Sequence, residues 1–332
     1  MNCSFLIGFG TVALSAVVIA CGAPPRNSDT GPGGDTDLDL TSGSSSNGNG
    51  DGDWDLTSGA TSGSSTDTGG GADTDDPIQE DCDATLELIV RDFNSDHPDM
   101  QKNNGGWADI GCGMVKENLY VGADGVRTPL FQAGNGTGKR SIENNVVKCV
   151  LWDPSSNPQP SFQEIAGEDS FNQWFSNVDG VNMMFNHVLE LAPLAGNSSV
   201  YYFDSKDLDG GRFFPADGLG FDEDTQGHNY HFTTEAHVRF TYRAGDKFTF
   251  SGDDDMWIFV NNKLALDLGG MHGPLSATID FDAQAAALGI SPGQVYNMDI
   301  FHAERHTSDS NYRIETSIGC FEQVEVPDII IR

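Results

Sequence analysis

Basic residues are scarce in this chain of 332 residues. It contains 17 Lys and Arg against 50 Asp and Glu, which gives a formal net charge of −33. Nucleic acids and anionic membrane surfaces are bound by clusters of Lys and Arg, so the composition argues against both as partners. The acidic excess is compatible with cation binding and equally with ordinary solubility, and charge alone does not decide between them.

The motifs of common enzymes are also absent. No serine lies in a Gly-x-Ser-x-Gly motif, and no phosphate-binding glycine loop occurs between a strand and a helix. In the segment His302-Ala303-Glu304-Arg305-His306, Glu does not directly follow the first His as a zinc protease motif requires. Adjacent carboxylates on one turn cannot flank a glycosidic bond at the separation that hydrolysis needs. We expect a protein that is not an enzyme. In an extended segment His302, Glu304 and His306 share one face, which could bind metal or merely form hydrogen bonds. Glu304-Arg305 beside Asp267 is expected to form an ion-pair network that holds the loop.

Cysteine is sparse, and the absence of any Cys-x-x-Cys pair gives no indication of zinc. Apart from Cys3 and Cys21 near the N-terminus, the cysteines are Cys82, Cys112, Cys149 and Cys320. An even number in an exported domain suggests two disulfides, for which three pairings are possible. The outer two flank the folded region, so we favour Cys82–Cys320 and Cys112–Cys149. The alternative is that some of the four are buried free thiols.

No apolar run is long enough for a confident membrane span. Residues 5–20 are apolar or small and lead into Val18-Ile19-Ala20-Cys21, which resembles the bacterial lipobox, where the cysteine carries lipid. Residues 1–4 contain no Lys or Arg, which leaves an ordinary cleaved signal peptide or a retained anchor as the alternative. The pattern predicts a lipoprotein of the bacterial cell envelope, anchored through Cys21 in the outer membrane or at the cell surface.

The composition then divides the chain. Residues 21–81 are rich in Gly, Ser, Thr and Asp and cannot bury enough apolar surface to offset the entropy of ordering, so we predict a disordered tether. Residues 82–321 are long enough for one large β domain, and residues 322–332 are predicted to form a C-terminal tail. The leader, tether, domain and tail follow one another without internal repeats that would indicate a solenoid.

Within residues 82–321 the apolar side chains mostly recur with period two, which predicts strands. Val238, Phe240 and Tyr242 alternate with polar residues, whereas 256–260 is a continuous apolar run of the kind found in central sandwich strands. Asn261-Asn262 is predicted to turn that strand back into 264–268. Further strands are predicted at 86–90, 247–250, 277–281, 295–301 and 312–318. Together they indicate an all-β sandwich.

Two short helices are predicted to interrupt these strands. The first has an apolar stripe at helical spacing, which would lie on the sheet and consists of Phe171, Trp174, Phe175 and Val178. The second covers residues 283–288, with Asp282 placed as its N-cap and Gly289 as its terminator. The fold class is therefore all-β with small helical excursions.

Several groups of residues, specific only in combination, identify a family. They are Ile89-Val90-Arg91-Asp92-Phe93 with His97-Pro98-Asp99, Phe213-Phe214-Pro215, His228-Asn229-Tyr230-His231-Phe232, Gly252-Asp253-Asp254-Asp255, Asp267-Leu268-Gly269-Gly270 with His272-Gly273, and His302-Ala303-Glu304-Arg305-His306. The pattern resembles the fibro-slime domain, a bacterial secreted module similar to the PA14 domain of toxins and adhesins. It departs from the family at Asn261-Asn262, where Asn-Gly is usual, and residues 126–140 have no clear counterpart. The resemblance implies a PA14-like β-sandwich or barrel.

The resemblance also implies a site. In PA14-type adhesins, two consecutive aspartates joined by a cis peptide bond hold a calcium ion that binds sugar hydroxyls. Here they would be Asp253 and Asp254, and Asn311 in a second loop at 307–311 would complete the metal shell. Further ligand-binding residues beside this shell would be Asp255, Ser308 and Asp309.

Physical chemistry leaves two interpretations of that turn. Carboxylates at one strand end repel each other unless a cation or strong donors neutralise them. Calcium takes about six to eight oxygens, and both loops are rich in oxygen-bearing side chains; the alternative is a turn in which Asp253 and Asp254 accept backbone N–H bonds. The leading hypothesis is a surface-tethered module that recognises extracellular glycan, with Ca²⁺ as its cofactor. The alternative is a structural component of extracellular slime or matrix that binds protein partners and no sugar.

Overall fold

The computed structural model describes residues 83–100, 110–132, 138–143, 146–150, 165–221, 227–306, 309–327 and 330–331, with the backbone alone at 110–111, 138–143, 146–150 and 330–331. All of them belong to one compact unit, Asp73–Arg332. The predicted leader and tether, including Cys21, lie outside the described residues, as does Cys82.

Strands dominate this part of the chain, which confirms the predicted all-β class. In chain order they are β1 (Thr85–Phe93), β2 (Ile110–Cys112), β3 (Tyr120–Val121), β4 (Arg127–Thr128), β5 (Gly138–Glu143), β6 (Val146–Val150), β7 (Asn177–Val178), β8 (Asn182–Glu190), β9 (Ala192–Leu194), β10 (Asn197–Asp204), β11 (Phe232–Thr241), β12 (Lys247–Gly252), β13 (Asp255–Val260), β14 (Lys263–Leu268), β15 (Leu275–Asp280), β16 (Val295–Glu304), β17 (Tyr312–Thr316), β18 (Glu322–Gln323) and β19 (Ile330–Ile331). The helices are α1 (Glu168–Phe171) and α2 (Phe281–Leu288).

The longer strands form two antiparallel sheets in the described part of the chain. One has seven strands, in the order β14-β13-β16-β11-β1-β8 with β18 paired to β11. The other has five strands, in the order β15-β12-β17-β10-β9. Side chains from both sheets meet in one core cluster between them. The arrangement is the predicted β-sandwich.

The seven-stranded sheet is buried on both faces at β13, which explains the continuous apolar run of that strand. Successive side chains of a strand point to opposite faces. Met256, Ile258 and Val260 therefore enter the core between the sheets. Trp257 and Phe259 enter a second apolar cluster on the opposite face, which we call the outer face. A strand covered on both sides has no need of alternation between polar and apolar residues.

The aromatic stripe that begins at Phe171 covers this outer face without forming the predicted helix. Helix α1 ends at Phe171, and Trp174 and Phe175 follow it in a turn. Their rings lie 6.1 Å from Trp257 and 4.9 Å from Phe301, measured between centroids. Ring packing against the sheet, rather than helical hydrogen bonding, thus fixes these side chains, and the helix prediction was wrong in length.

Helix α2 exists as predicted but begins earlier. Its N-cap is Asp280, whose carboxylate accepts a 3.0 Å hydrogen bond from the N–H of Ala283. Asp282 binds the hydroxyl of Tyr242 and lies within the first turn of the helix. Gly289 ends the helix in the left-handed conformation, at φ 71°. No helix among the described residues is long and apolar enough to cross a membrane.

The hairpin between β13 and β14 forms at the predicted turn. Asn261 and Asn262 have φ values of 51° and 63°. A two-residue hairpin turn of type I′ needs positive φ at both positions, and Asn tolerates it better than most residues. The two strands pair antiparallel across the turn, so Asn-Asn replaces Asn-Gly without loss of the hairpin.

The chain enters and leaves the described domain at one place. The N–H of Phe321 donates a 2.8 Å hydrogen bond to the carbonyl of Asp83. Immediately afterwards, β18 pairs with β11 in the seven-stranded sheet. The tail predicted from residue 322 onward therefore begins as a strand, because its backbone donors and acceptors are used by the sheet.

Two of the predicted disulfide cysteines are described with their side chains. Cys112 and Cys320 are each in a disulfide bond. The pairing Cys82–Cys320 and Cys112–Cys149 stays a prediction, because Cys82 lies outside the described residues and Cys149 is described by its backbone alone.

Candidate cation site

Two crossings between the sheets lie side by side at one rim of the sandwich. Residues 253–254 lead from β12 in the five-stranded sheet to β13 in the seven-stranded sheet, and residues 305–311 lead from β16 to β17. Because β12 pairs with β17 and β13 pairs with β16, both crossings begin and end beside each other. The predicted residues Asp253, Asp254 and Asn311 therefore lie at the same rim.

Asp253 is bound to Asn311 through main chain and side chain. The N–H of Asn311 donates to Asp253 Oδ1 at 2.5 Å, and Asn311 Nδ2 donates to Oδ2 at 2.9 Å. The carbonyl oxygen of Asp253 lies 2.9 Å from Nε2 of the buried His302. Asp253 is 3% exposed, and this burial raises the pKa of its carboxyl group while the donors of Asn311 oppose the rise.

Asp254 follows after a cis peptide bond, the geometry that the resemblance implies. Its Oδ1 accepts a 3.3 Å hydrogen bond from the N–H of His272, and its Oδ2 accepts one of 3.1 Å from the N–H of Arg305. Burial raises the pKa of Asp254 to about 8, with the charge of Arg305 opposing the rise and that of Asp255 adding to it. Backbone donors thus cap the turn, as the alternative interpretation expects, yet the pKa stays raised.

Asp255 has a different environment from that predicted for a ligand-binding residue. It is fully buried, and Arg305 binds it with Nε at 2.6 Å from Oδ2 and Nη2 at 3.2 Å from Oδ1. The guanidinium group of Arg305 also lies 5.0 Å from the ring centroid of Trp174. Asp267, the partner that we expected for Arg305, accepts hydrogen bonds from Trp257 Nε1 and from backbone N–H groups. Arg305 therefore neutralises Asp255, inside the structure.

Glu304, which the sequence placed on one face with His302 and His306 and in a network with Arg305, lies next to Asp253 and Asp254, an arrangement that sequence reasoning missed. It is the last residue of β16 and has no exposed surface. Its Oε1 accepts a 3.3 Å hydrogen bond from the N–H of His306, and its Oε2 is buried without a hydrogen-bond partner. Burial, followed by the charges of Asp254 and Asp253, raises the pKa of Glu304 well above its usual value. We call Asp253, Asp254 and Glu304 the carboxylate cluster.

A second group of buried charges lies on the outer face of the seven-stranded sheet. We call it the ion-pair cluster, and it consists of Arg91, Arg127, Glu235, His237 and Asp299. Arg91 Nη1 lies 2.8 Å from Glu235 Oε1, and His237 Nδ1 lies 2.8 Å from Asp299 Oδ1. Arg127 binds both oxygens of Asp299 at 2.6 Å. Arg127 comes from the segment 126–140, for which the family pattern has no counterpart.

The charges of the ion-pair cluster stabilise one another. Burial alone would lower the pKa of His237, but the hydrogen bond to Asp299 and the carboxylate of Glu235, 3.6 Å from Nε2, outweigh it and raise the pKa to about 9. Burial alone would raise the pKa of Glu235, but the charges of Arg91 and His237 hold it below its usual value. The pKa of Asp299 is lowered in the same way, by Arg127 and His237 against the effect of burial.

The rim has the donor chemistry that calcium takes. Asp253 and Asp254 present carboxylate oxygens, and rotation of the Asn311 amide by half a turn would exchange Nδ2 for Oδ1 next to Asp253. Calcium binds oxygen from carboxylates, amides, backbone carbonyls and water. As they stand, no three His, Cys, Asp or Glu side chains of the described residues converge closely enough to hold a metal ion. Binding would therefore require the side chains to reorient around the ion.

Other groups border the rim. Asp309 is 45% exposed at its side chain and pairs with Arg212, and the predicted ligand Ser308 lies outside the described residues. The rings of Phe214 and His228 stack at 4.0 Å between centroids with 12° between their planes. Tyr230 packs edge-on against Phe214 at 4.8 Å, and burial together with the charge of Glu304 raises its pKa. An aromatic group thus lies next to the carboxylate cluster.

Residues 202–326 match the PA14 domain family, a range that contains both crossings and the whole carboxylate cluster. Among curated proteins, the chain is 38% identical to protein psiR of Dictyostelium discoideum over 211 residues, which are 58% of this chain and 20% of psiR. It is 36% identical to protein psiJ of the same organism over 254 residues, 71% of this chain and 31% of psiJ. The chain thus spans about a fifth to a third of the length of these relatives. They give no support to the prediction of a bacterial lipoprotein.

Solved structures with similar shapes are distant. An anti-sigma factor domain-containing protein covers 75% of this chain at 12% identity and a TM-score of 0.24. A β-glucosidase from Kluyveromyces marxianus, in complex with glucose, covers 67% of this chain at 11% identity and a TM-score of 0.22. At such TM-scores neither structure bears on the function of the chain.

Proposed function

We propose that this domain is an extracellular binding module that recognises glycan hydroxyl groups through a calcium ion at the rim. The observation that carries the proposal is the pair Asp253 and Asp254, buried side by side, with pKa values that remain raised despite the donors around them. A divalent cation would neutralise both carboxylates where hydrogen bonds do not. The PA14 match across the same residues supports a carbohydrate-binding type of module.

We assign separate residues at the rim to the calcium ion and to the sugar. Asp253, Asp254 and the side-chain oxygen of Asn311 would hold the calcium ion. Water or sugar hydroxyls would complete its shell of about six to eight oxygens. The stacked rings of Phe214 and His228 next to the cluster suit the apolar face of a sugar.

We further propose that the module has no catalytic activity and acts at a cell surface, held there by lipid on Cys21. The lipid anchor rests on the sequence pattern that precedes Cys21, and the lack of catalytic activity rests on the sequence, which contains no Gly-x-Ser-x-Gly motif and no zinc protease motif. The variant Cys21→Ser should leave the membrane fraction when cells that express the full chain are fractionated. An unchanged distribution would show that another feature holds the protein.

A glycan array with the full chain tests the binding function. It is run in millimolar calcium and again in excess chelator, with wild type, Asp254→Asn and the surface variant Lys247→Met. We expect sugar binding by wild type and Lys247→Met in calcium, and loss of binding with chelator or with Asp254→Asn. Sugar binding that chelator leaves unchanged would contradict the calcium role. No sugar binding, together with capture of matrix proteins, would favour a structural component of extracellular matrix.

A further inference from the structure

Glu304 has a buried carboxylate oxygen that no group in the described domain satisfies. The residue has no exposed surface, and Oε2 is without a hydrogen-bond partner. Oε1 accepts a 3.3 Å hydrogen bond from the N–H of His306, and the Ser310 hydroxyl nearby opposes the rise in the pKa of Glu304. The hydroxyl of the nearby Ser310 donates to the carbonyl of Phe213 at 2.6 Å, so its proton is already used. Buried polar groups are nearly always paired, and an unpaired carboxylate oxygen calls for a physical reason.

The strand register places Glu304 against Asp254. In the pairing of β13 with β16, Asp255 lies opposite Ala303 and Met256 opposite His302. The next pair at this end is therefore Asp254 and Glu304, which come on the same face of the sheet as His302 because side chains alternate. The 3.1 Å hydrogen bond from the N–H of Arg305 to Asp254 Oδ2 holds the side chain of Asp254 next to the backbone that follows Glu304. Like charges directly opposite each other in neighbouring strands are unfavourable.

The guanidinium group of Arg305, next to Glu304 in the sequence, binds Asp255 and not Glu304. Arg305 directs Nε and Nη2 to Asp255 and stacks over Trp174, on the other face of the sheet from Glu304. The backbone donors around Asp254 bind that residue and do not reach Oε2 of Glu304. The carboxyl groups of Asp253, Asp254 and Glu304 thus lie at the same end of the sheets, and of their oxygens Glu304 Oε2 is the buried one without a hydrogen-bond partner. The three would have to reorient to bind one ion, because as they stand no three such side chains of the described residues converge closely enough.

We propose that Glu304 is a third anionic ligand of the cation at Asp253 and Asp254, binding the ion with Oε2 directly or through one water. The inference rests on the proposed function, since it concerns the same ion. It predicts a site with three negative charges from protein side chains, where the resemblance implies two. Affinity for hard cations rises with the number of charged ligands, and a trivalent ion gains more from the third charge than a divalent one.

Isothermal titration of the chelator-stripped full chain tests this with Ca²⁺ and with Tb³⁺. The variants are Glu304→Gln, which keeps the shape but removes the charge, and Asp254→Asn. Glu315→Gln is the matched control, since it removes one carboxylate from β17 that is partly exposed and paired with Arg313. We expect Glu304→Gln to weaken calcium binding by about tenfold or more and terbium binding by a larger factor. Glu315→Gln should stay within about twofold of wild type, because exposed charges are screened.

The outcomes separate this inference from the proposed function. Wild-type affinity in Glu304→Gln, in protein that loses calcium binding on Asp254→Asn, would overturn the role of Glu304 and leave the proposed function standing. Absence of any cation binding by wild type would overturn both. A crystal structure of the wild-type protein with calcium shows directly whether Glu304 binds the ion, without a variant. Oε2 at about 2.3–2.6 Å from the ion, or one water away, would support the inference. An ion with Glu304 outside both shells would contradict it.

Discussion

The ion-pair cluster and the carboxylate cluster are both buried in the same sheet, yet their charges are balanced differently. In the ion-pair cluster the carboxylates of Glu235 and Asp299 face the positive charges of Arg91, Arg127 and His237. In the carboxylate cluster three acidic groups lie at the same end of the sheets, and the guanidinium group beside them binds Asp255. Burial of charge therefore does not mark a functional site by itself. Burial without compensation does, because a compensating group is then expected from solution.

The largest effect is expected when the ion-pair cluster loses one of its carboxylates. Asp299→Asn should lower the free energy of unfolding by about 3–5 kcal/mol, because Arg127 and His237 would remain buried without their carboxylate. Urea unfolding at pH 7 measures the change against wild type. A loss below about 1 kcal/mol would mean that the buried charges are not mutually stabilised, and the distinction between the clusters would fail.

The stability of the protein should depend on pH through His237 of the ion-pair cluster. The pKa of His237 rises from 6.5 to about 9 on folding, so the folded state binds the proton more tightly. Its stabilisation, about 3 kcal/mol, is complete below pH 6.5 and is lost as pH rises toward 9. Unfolding free energies from pH 6 to 9.5 should fall for wild type and fall less for His237→Gln. The raised pKa of Asp254 also lowers stability as pH rises, but it does so in wild type and in His237→Gln alike. The difference between the two pH curves therefore gives the contribution of His237.

Loss of a charge from the carboxylate cluster should not destabilise the protein, in contrast to the loss expected for Asp299→Asn. Without calcium, Asp254→Asn should be at least as stable as wild type, because the variant removes a buried carboxylate from among like charges. Calcium at a hundred times its dissociation constant should stabilise wild type by about 2.7 kcal/mol and leave Asp254→Asn unchanged. Thermal melts of chelator-stripped protein, with and without calcium, measure both effects. Destabilisation of calcium-free Asp254→Asn by several kcal/mol would make this turn a structural cap.

The smallest effect is expected at an exposed ion pair. Lys247 Nζ lies 2.7 Å from Asp280 Oδ2, and 57% of the lysine side chain is exposed. Lys247→Met should change the free energy of unfolding by less than about 1 kcal/mol, because water and salt screen such pairs. The variant should keep the full calcium response. A larger loss of unfolding free energy would show that the contribution of an ion pair in this protein does not depend on how deeply the pair is buried.

The sequence predicted the fold well where local patterns coincide with the final packing. The strand at 256–260, the Asn-Asn hairpin and the glycine that ends α2 all follow from short-range rules of periodicity and backbone conformation. The aromatic stripe after Phe171 failed as a helix because its rings are fixed by contacts with Trp257 and Phe301, far away in sequence. Tertiary packing overrode spacing there.

The residues of the two clusters could be predicted from the sequence only in part. Asp253 and Asp254 were accessible to sequence reasoning because they are adjacent and the family pattern contains them. The position of Glu304 opposite Asp254 became visible only with the register of β13 and β16, which no local pattern specifies. The polar residues of β11, such as Glu235 and His237, alternate with apolar ones and resemble a solvent-facing side. They are buried because Arg127 and the outer aromatic cluster cover that face.

The placement of the rim has a mechanical consequence. Strand β1 runs from the end where Asp83 meets Phe321 to the level of the rim, where Asp92 aligns with Phe232 and Glu304. From its first to its last Cα atom, the nine residues of β1 cover roughly 26 Å at a rise of about 3.3 Å per residue. A ligand held at the rim and pulled against either chain end would load the strands along their length. Because hydrogen bonds between antiparallel strands lie perpendicular to that direction, many of them would share the force in shear instead of opening one after another.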